Sequence, residues 1–340
     1  MLKPLITYYA LIAAGYVIVT TILALAPFAT TLANQGLSTD KESFVERMSS
    51  QHGFDAEEMR DLLAQARHDD RALKRIKSPA EALEWHRYRQ IFLTRERITA
   101  GAKYWQEHEK IIDDVVDKFG VEAHILIAIL GVESYYGERS GDHRVLDALS
   151  TLAFQYPPRS SFFRNELEAF LLLAKQHGLD PTEIYGSYAG AMGKPQFISS
   201  SYKHYAVAAD GDGQADLFNN VADAMASVAN YLNKHGWQHN GQITNRTEAD
   251  GSEWEKALAS LNRPVRSEYT AEQLTNLGVK IPQDAAGSDR LGLIKLEAED
   301  GPELWLTHTN FYVLTRYNHS ALYAMAVYQL AEAILEEHKR

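Results

Sequence analysis

Apolar residues recur at helical spacing through most of the chain. Phe44 and Met48, then Met59, Leu62 and Leu63, then Leu167, Phe170, Leu171 and Ala174 each line one side of a 3.6-residue period. Val221–Leu232 has the same one-faced pattern, with Asn219 or Asn220 suited to its N-cap and Gly236 just past its end. The pattern breaks near Gln242. From there to Leu314, Gly, Asp, Pro and Ser are frequent. Leu293–Leu296, Leu304–Leu306 and Phe311–Leu314 read as short strands, with turn signals such as Asp300-Gly301-Pro302 between them. Helical spacing returns over Ala321–Glu336. These patterns predict a mainly α protein of the α+β class. Its parts are a leader at 1–33, a helical region at 38–240, a small β-containing insertion at 241–314 and a closing segment at 315–340. The helix of that last segment packs back on the helical body.

One predicted helix lacks a polar face. Ile125-Leu126-Ile127-Ala128-Ile129-Leu130 carries no charge, and Gly131-Val132-Glu133-Ser134-Tyr135-Tyr136-Gly137 follows it. Gly137 is the natural stop, because glycine tolerates the left-handed conformation that ends many helices. Glu133 then falls in the last turn. The carbonyl end of the helix dipole disfavours an anion there, and apolar neighbours add a desolvation penalty. Both effects favour the protonated acid, the form that donates a proton in general acid catalysis.

Residues 5–26, from Leu5 to Ala26, are uncharged and follow Lys3. The run is long enough to span a bilayer, and Thr31-Leu32-Ala33 offers a small-residue cleavage site. Either an inner-membrane anchor or a cleaved signal places the remainder outside the cytoplasm, in the periplasm. With no cysteine, the chain has no disulfide, no thiolate metal site, no cysteine nucleophile and no lipidatable residue of the bacterial lipoprotein kind. A formal net charge of −11 argues against a nucleic-acid partner.

Other motifs narrow the chemistry. The small-residue run Gly186–Phe197 has Tyr188 and Pro195 where a phosphate-binding loop needs Gly and Ser or Thr, so it reads as a loop exposing backbone to a ligand. Ser200-Ser201-Tyr202-Lys203 matches Ser-x-x-Lys without the companion elements of penicillin-binding proteins. Asp210, Asp212 and Gln214 alternate with glycines as at the start of a calcium loop, with Asp223 as a later ligand, so a structural calcium is expected there. The 13 histidines show no paired spacing for zinc.

Together these segments resemble the lytic murein transglycosylase B family, glycoside hydrolase family 103, from about residue 40 to 338. The motifs that carry the resemblance begin with Trp85-x-x-Tyr88, Ile129–Ser134, Asp147–Leu152 and Tyr156-Pro157. They continue through Gly190-Ala191-Met192-Gly193-x-x-Gln196-Phe197, Ser200–Tyr202 and Asp210–Gly213. Ser227–Tyr231, Thr315–Asn318 and Tyr323–Val327 complete the set. The resemblance implies a lysozyme-like helical core with an added helical domain and a small β domain. It also implies cleavage of the β-1,4 bond between N-acetylmuramic acid and N-acetylglucosamine in peptidoglycan glycan strands, without a required cofactor. Glu133 matches the family's single catalytic acid/base. Ser187, Gln196, Tyr231, Asn318, Tyr323 and Tyr88 match positions lining the glycan groove. Alternatives in view are a hydrolytic muramidase using Asp142 or Asp147 to position water, and a non-catalytic glycan-binding scaffold among wall-remodelling partners. The chain departs from the family pattern at Pro158-Arg159, at Lys194-Pro195 and at Ala208, which stands where a calcium ligand is common.

Overall fold

A computed structural model describes residues 26–77, 83–288 and 290–340, arranged in two compact units divided between Arg60 and Asp61. In the first unit, helix α1 (Ala26–His52) ends at Gly53, and α2 (Ala56–Ala64) begins there. The Asp55 carboxylate caps α2 by accepting the Glu57 and Glu58 amides at 2.8 and 2.9 Å. Residues 5–25 lie outside the described set. Among the described residues no helix is long and apolar enough to cross a membrane.

The second unit is helical over most of its length. It runs through α3 (Asp70–Arg75), α4 (Trp85–Phe92), α5 (Arg95–Glu107), α6 (Glu109–Phe119), α7 (Ala123–Ser134), α8 (Val145–Gln155) and α9 (Ser160–His177). The short α10 (Ser199–Tyr205) and the longer α11 (Val221–Lys234) follow. Asn220 is the N-cap of α11, its side chain accepting the Ala222 and Asp223 amides. Strands β1 (His143–Arg144) and β2 (Tyr185–Gly186) form a two-residue antiparallel ladder.

Next come β3 (Thr244–Thr247), α12 (Ala271–Asn276), β4 (Gly292–Ala298) and β5 (Gly301–Thr307). The three strands make an antiparallel sheet in the order β3-β5-β4. Leu293 and Leu306 pair across it and anchor a small separate core with Ala257, Leu274, Val279, Ala285 and Leu291. Helices α13 (Thr309–Tyr317) and α14 (Ala321–His338) end the chain, and α14 packs on α7, α5 and α4.

Phe311–Leu314, expected as a strand, is helix. Asn310, Phe311, Val313, Leu314 and Thr315 are all buried there. Such a solid four-residue apolar run fits either period, and here packing on α14 and α11 decides for the helix. Strand β3 was not visible in the pattern, since Thr-Asn-Arg-Thr has no apolar residue.

Candidate active site

Helix α7 is fixed along its whole length. Ile125 to Leu130 are at most 1% exposed, and α7 packs against α14, α5, α11 and α6. Burying one Leu or Ile side chain contributes about 1.5–3 kcal/mol, so a shift of this helix would disturb several such contacts at once.

Its end is unusual. The helix stops at Ser134, not at Gly137, because Tyr135 (φ 51°) and Tyr136 (φ 62°) both take left-handed backbone. For non-glycine residues that conformation costs on the order of 1–3 kcal/mol each. Tyr136 offsets the cost in three ways. Its amide donates to Leu130 O at 3.0 Å, its hydroxyl donates to Arg97 O at 2.7 Å, and its ring fills space left by two glycines. A Cβ on Gly131 would lie 2.8 Å from the Tyr136 ring, and one on Gly101 would lie 2.6 Å from its oxygen.

Glu133 is half-buried on the last turn. Tyr323, on the first turn of α14 and 2% exposed, donates its hydroxyl proton to Glu133 Oε1 at 2.6 Å, a charge-assisted hydrogen bond when Glu133 is ionised. Tyr317 stacks parallel to Tyr323, their centroids 6.3 Å apart. Burial, and then the negative charge of Glu133, hold both phenols well above the usual tyrosine range. Both therefore keep their protons at physiological pH, and Tyr323 is a permanent donor to the carboxylate.

The small-residue loop is tied to this helix end. Ser134 Oγ donates to Lys194 O at 2.6 Å, and Tyr317 donates to Pro195 O at 2.6 Å. Gln196 sits at φ 50°, and its amide nitrogen bridges Ser140 O and Gly193 O, each at 2.9 Å. Ser187 Oγ accepts the Ala189 and Ala191 amides, so its hydroxyl shapes the loop while its own proton stays outside those two bonds.

From Tyr317 a groove of about 670 Å³ opens, lined by Gln196, Phe197, Tyr231 and Asn318 among others. Tyr231 donates to Arg316 O at 2.5 Å and packs against Tyr205, Phe197 and Tyr317, with centroids 4.7 to 5.8 Å apart. Burial pushes its phenol up to about 12, despite opposition from Arg316. Such flat faces suit the apolar sides of sugar rings.

The structure thus joins Glu133 to Tyr323 directly and puts Gln196, Tyr231 and Asn318 in one groove, with Ser187 in the loop beside it. Tyr88 departs from the expectation. It is 2% exposed, with Trp85 stacked against its ring and Phe92 tilted against it. It backs the site from within the core instead of forming groove surface. Tyr317 and Tyr136 were missed. The motif Thr315–Asn318 contained Tyr317, but nothing in one dimension shows that it meets Tyr323 and Pro195.

Neither proposed second carboxylate is free. Asp142 is exposed and bonded to Arg71 Nη1 at 2.8 Å. Asp147 accepts Arg144 Nη2 at 2.5 Å and the Arg67 amide at 2.8 Å.

The four residues expected to hold calcium share one loop. Asp223 is fully buried and its two oxygens accept the Ala209 and Asp216 amides at 2.7 and 2.8 Å. Asp210 accepts the Asp212 amide and the Asn220 side chain, and Asp212 accepts the Gln214 amide. Among the described residues no group of three or more His, Asp or Glu side chains is placed to hold a metal ion. Asp210, Asp212, Gln214 and Asp223 here close a loop through hydrogen bonds.

A helical protein with a half-buried carboxylate at the end of an apolar helix, and an aromatic groove that opens from the neighbouring Tyr317, has the design of a glycan-cleaving enzyme. Residues 36–332 match the transglycosylase SLT domain, and the chain belongs to that family. It is 37% identical over 303 residues to membrane-bound lytic murein transglycosylase B of Escherichia coli K12, covering 86% of this chain and 82% of that one. The crystal structure of soluble lytic transglycosylase SltB1 from Pseudomonas aeruginosa superposes with a TM-score of 0.81 at 39% identity, covering 88% and 99% of the two chains. The E. coli lytic transglycosylase Slt35 in complex with calcium superposes at 0.80 with 36% identity, covering 88% and 94%. The expected lysozyme-like, mainly helical fold is thus the fold of this family.

Proposed function

We propose that this protein is a peptidoglycan lytic transglycosylase and that Glu133 is its acid/base. The observation that carries the reading is the geometry at Glu133. It is a half-buried carboxylate at the end of an apolar helix, with Tyr323 donating to one oxygen at 2.6 Å, in a chain of this family. Glu133 protonates the oxygen between N-acetylmuramic acid and N-acetylglucosamine as that bond breaks. The N-acetyl oxygen of the substrate stabilises the positive charge that develops at C1, the role a second carboxylate plays in an ordinary glycosidase. Glu133 then accepts the proton of the C6 hydroxyl, whose oxygen closes on C1 to give a 1,6-anhydro ring. Gln196, Tyr231 and Asn318 line the glycan path, and Ser187 sits in the loop that faces the N-acetyl group. The test is the product end. Released muropeptides are expected to resist borohydride, because an anhydro sugar has no free aldehyde. Reducible ends as the main product favour a hydrolytic muramidase instead, and no release at all favours a scaffold.

Calcium has no part in this chemistry. We propose it as a structural ion of the 210–223 loop, with Asp210 and Asp212 as carboxylate ligands, a reading supported by the calcium complex of Slt35. Chelator-treated protein is expected to melt at a higher temperature when calcium is added. A ligand present at 100 times its Kd stabilises by about 2.7 kcal/mol, a rise of several degrees, and no shift at millimolar calcium would count against the site.

We further propose that the catalytic unit works in the periplasm, held at the inner membrane by the uncharged run 5–26, with glycan strands and wall-remodelling proteins as its partners. Lys3 then stays on the cytoplasmic side. N-terminal sequencing of protein from its native host checks this. An intact N-terminus supports the anchor, and a mature chain starting near Asn34 shows a cleaved signal.

A further inference from the structure

Among the described residues, two guanidinium groups beside the helix end that carries Glu133 have no carboxylate partner. Arg97 is 9% exposed, and its Nη1 donates to Ile91 O at 2.6 Å. Its Nε is buried without a hydrogen-bond partner. Its Cζ lies 5.1 Å from the centroid of the Tyr135 ring. Arg139 is exposed, and its Cζ lies 4.6 Å from the same centroid. The Arg139 amide donates to Ser134 O at 2.8 Å, which ties it to the turn that carries Glu133. Among the described residues neither arginine pairs with a carboxylate. By contrast, Arg71, Arg95 and Arg144 each have one. Burial, and then the neighbouring charge of Arg139, act against the Arg97 cation. In a chain of net charge −11, two cations around one ring without an acid form a built deficit of negative charge.

We propose that Arg139, reinforced by Arg97 behind the same ring, takes a carboxylate borne on the lactyl arm of a muramic sugar flanking the cut. This rests on the transglycosylase reading above. The lactyl arm is what distinguishes muramic acid from N-acetylglucosamine. It ends in a free carboxylate on stripped glycan and in a carboxylate-bearing peptide on intact wall. A guanidinium meets a carboxylate through two parallel N–H···O bonds, and the Tyr135 face limits where that fork can point. The pair would therefore select muramic sugars over plain N-acetylglucosamine polymers and set the register of the strand against Glu133.

The experiment uses full-length Glu133→Gln protein, so that binding is read without turnover. Three ligands are compared by calorimetry: chitotetraose, which has no lactyl arm; a peptide-free tetrasaccharide of alternating N-acetylglucosamine and N-acetylmuramic acid; and the same tetrasaccharide with pentapeptide stems. Adding Arg139→Gln is expected to weaken one or both arm-bearing ligands by roughly 10- to 100-fold, the range for hydrogen bonds to charged groups, and to leave chitotetraose within about twofold. Which arm-bearing ligand responds tells whether the lactyl or the stem carboxylate is bound, and Arg139→Lys should recover part of the loss. Equal weakening of all three ligands, or of none, overturns the proposal. Cleavage of the ligands by the Glu133→Gln protein would instead overturn the reading of Glu133.

Discussion

Replacing Glu133 with Gln is expected to lower glycan cleavage by about 10²–10⁴-fold, the usual contribution of general acid–base catalysis, and by more because one group serves both proton transfers. The amide has the shape of the acid, and its carbonyl oxygen can still accept from Tyr323 where Oε1 does now, 2.6 Å away. Only the transferable proton is lost. Melting temperature and affinity for glycan should therefore stay close to wild type while turnover falls. Turbidity clearing of purified peptidoglycan measures the rate, and clearing at near wild-type speed would remove Glu133 from the mechanism.

Gly131→Ala is expected to damage the same chemistry without touching a reacting atom. The new methyl would stand 2.8 Å from the Tyr136 ring, closer than packed carbons allow. The Tyr136 ring is itself buried, and its oxygen is held by Arg97 O. Relief requires either displacing Tyr136, which releases the left-handed turn, or sliding α7 against α14. Overpacking of this kind costs about 1–3 kcal/mol, which for a protein of this size lowers the melting temperature by roughly 1–2 °C per kcal/mol. Glu133 lies two residues away on the same turn, so its oxygen should leave the position set by Tyr323, and kcat should fall more than KM rises. Thermal melting together with steady-state kinetics checks both halves. An Ala variant with wild-type melting and turnover would show that the turn does not position Glu133.

The apolar run Ile125–Leu130 made α7 legible without tertiary information, because a helix with no polar face has to be buried. Glu133 stood out as the carboxylate at its end. The 220s helix and its Asn220 cap were legible for local reasons, as were the β4 and β5 segments. What the sequence could not carry were contacts across long separations. Tyr323 reaches Glu133 over 190 positions and Tyr317 reaches Pro195 over 122. Gly137 looked like the helix stop because glycine is the usual left-handed residue. The actual stop uses two tyrosines, which only the room left by Gly101 and Gly131 permits. The alternation of Asp and Gly is ambiguous for a related reason. Alternating Asp and Gly serve an Asx-rich turn as well as a cation, and the Asp223 oxygens meet backbone amides instead.

The central claim is that one carboxylate closes an anhydro ring and water takes no part. Digesting peptidoglycan in ¹⁸O-labelled water and weighing the released muramic ends by mass spectrometry tests it most directly. Unlabelled ends lighter than a hydrolysed sugar by one water are expected. Muramic ends carrying ¹⁸O at C1 would contradict it and would require a water-activating group that Asp142 and Asp147, each held by an arginine, are not placed to supply.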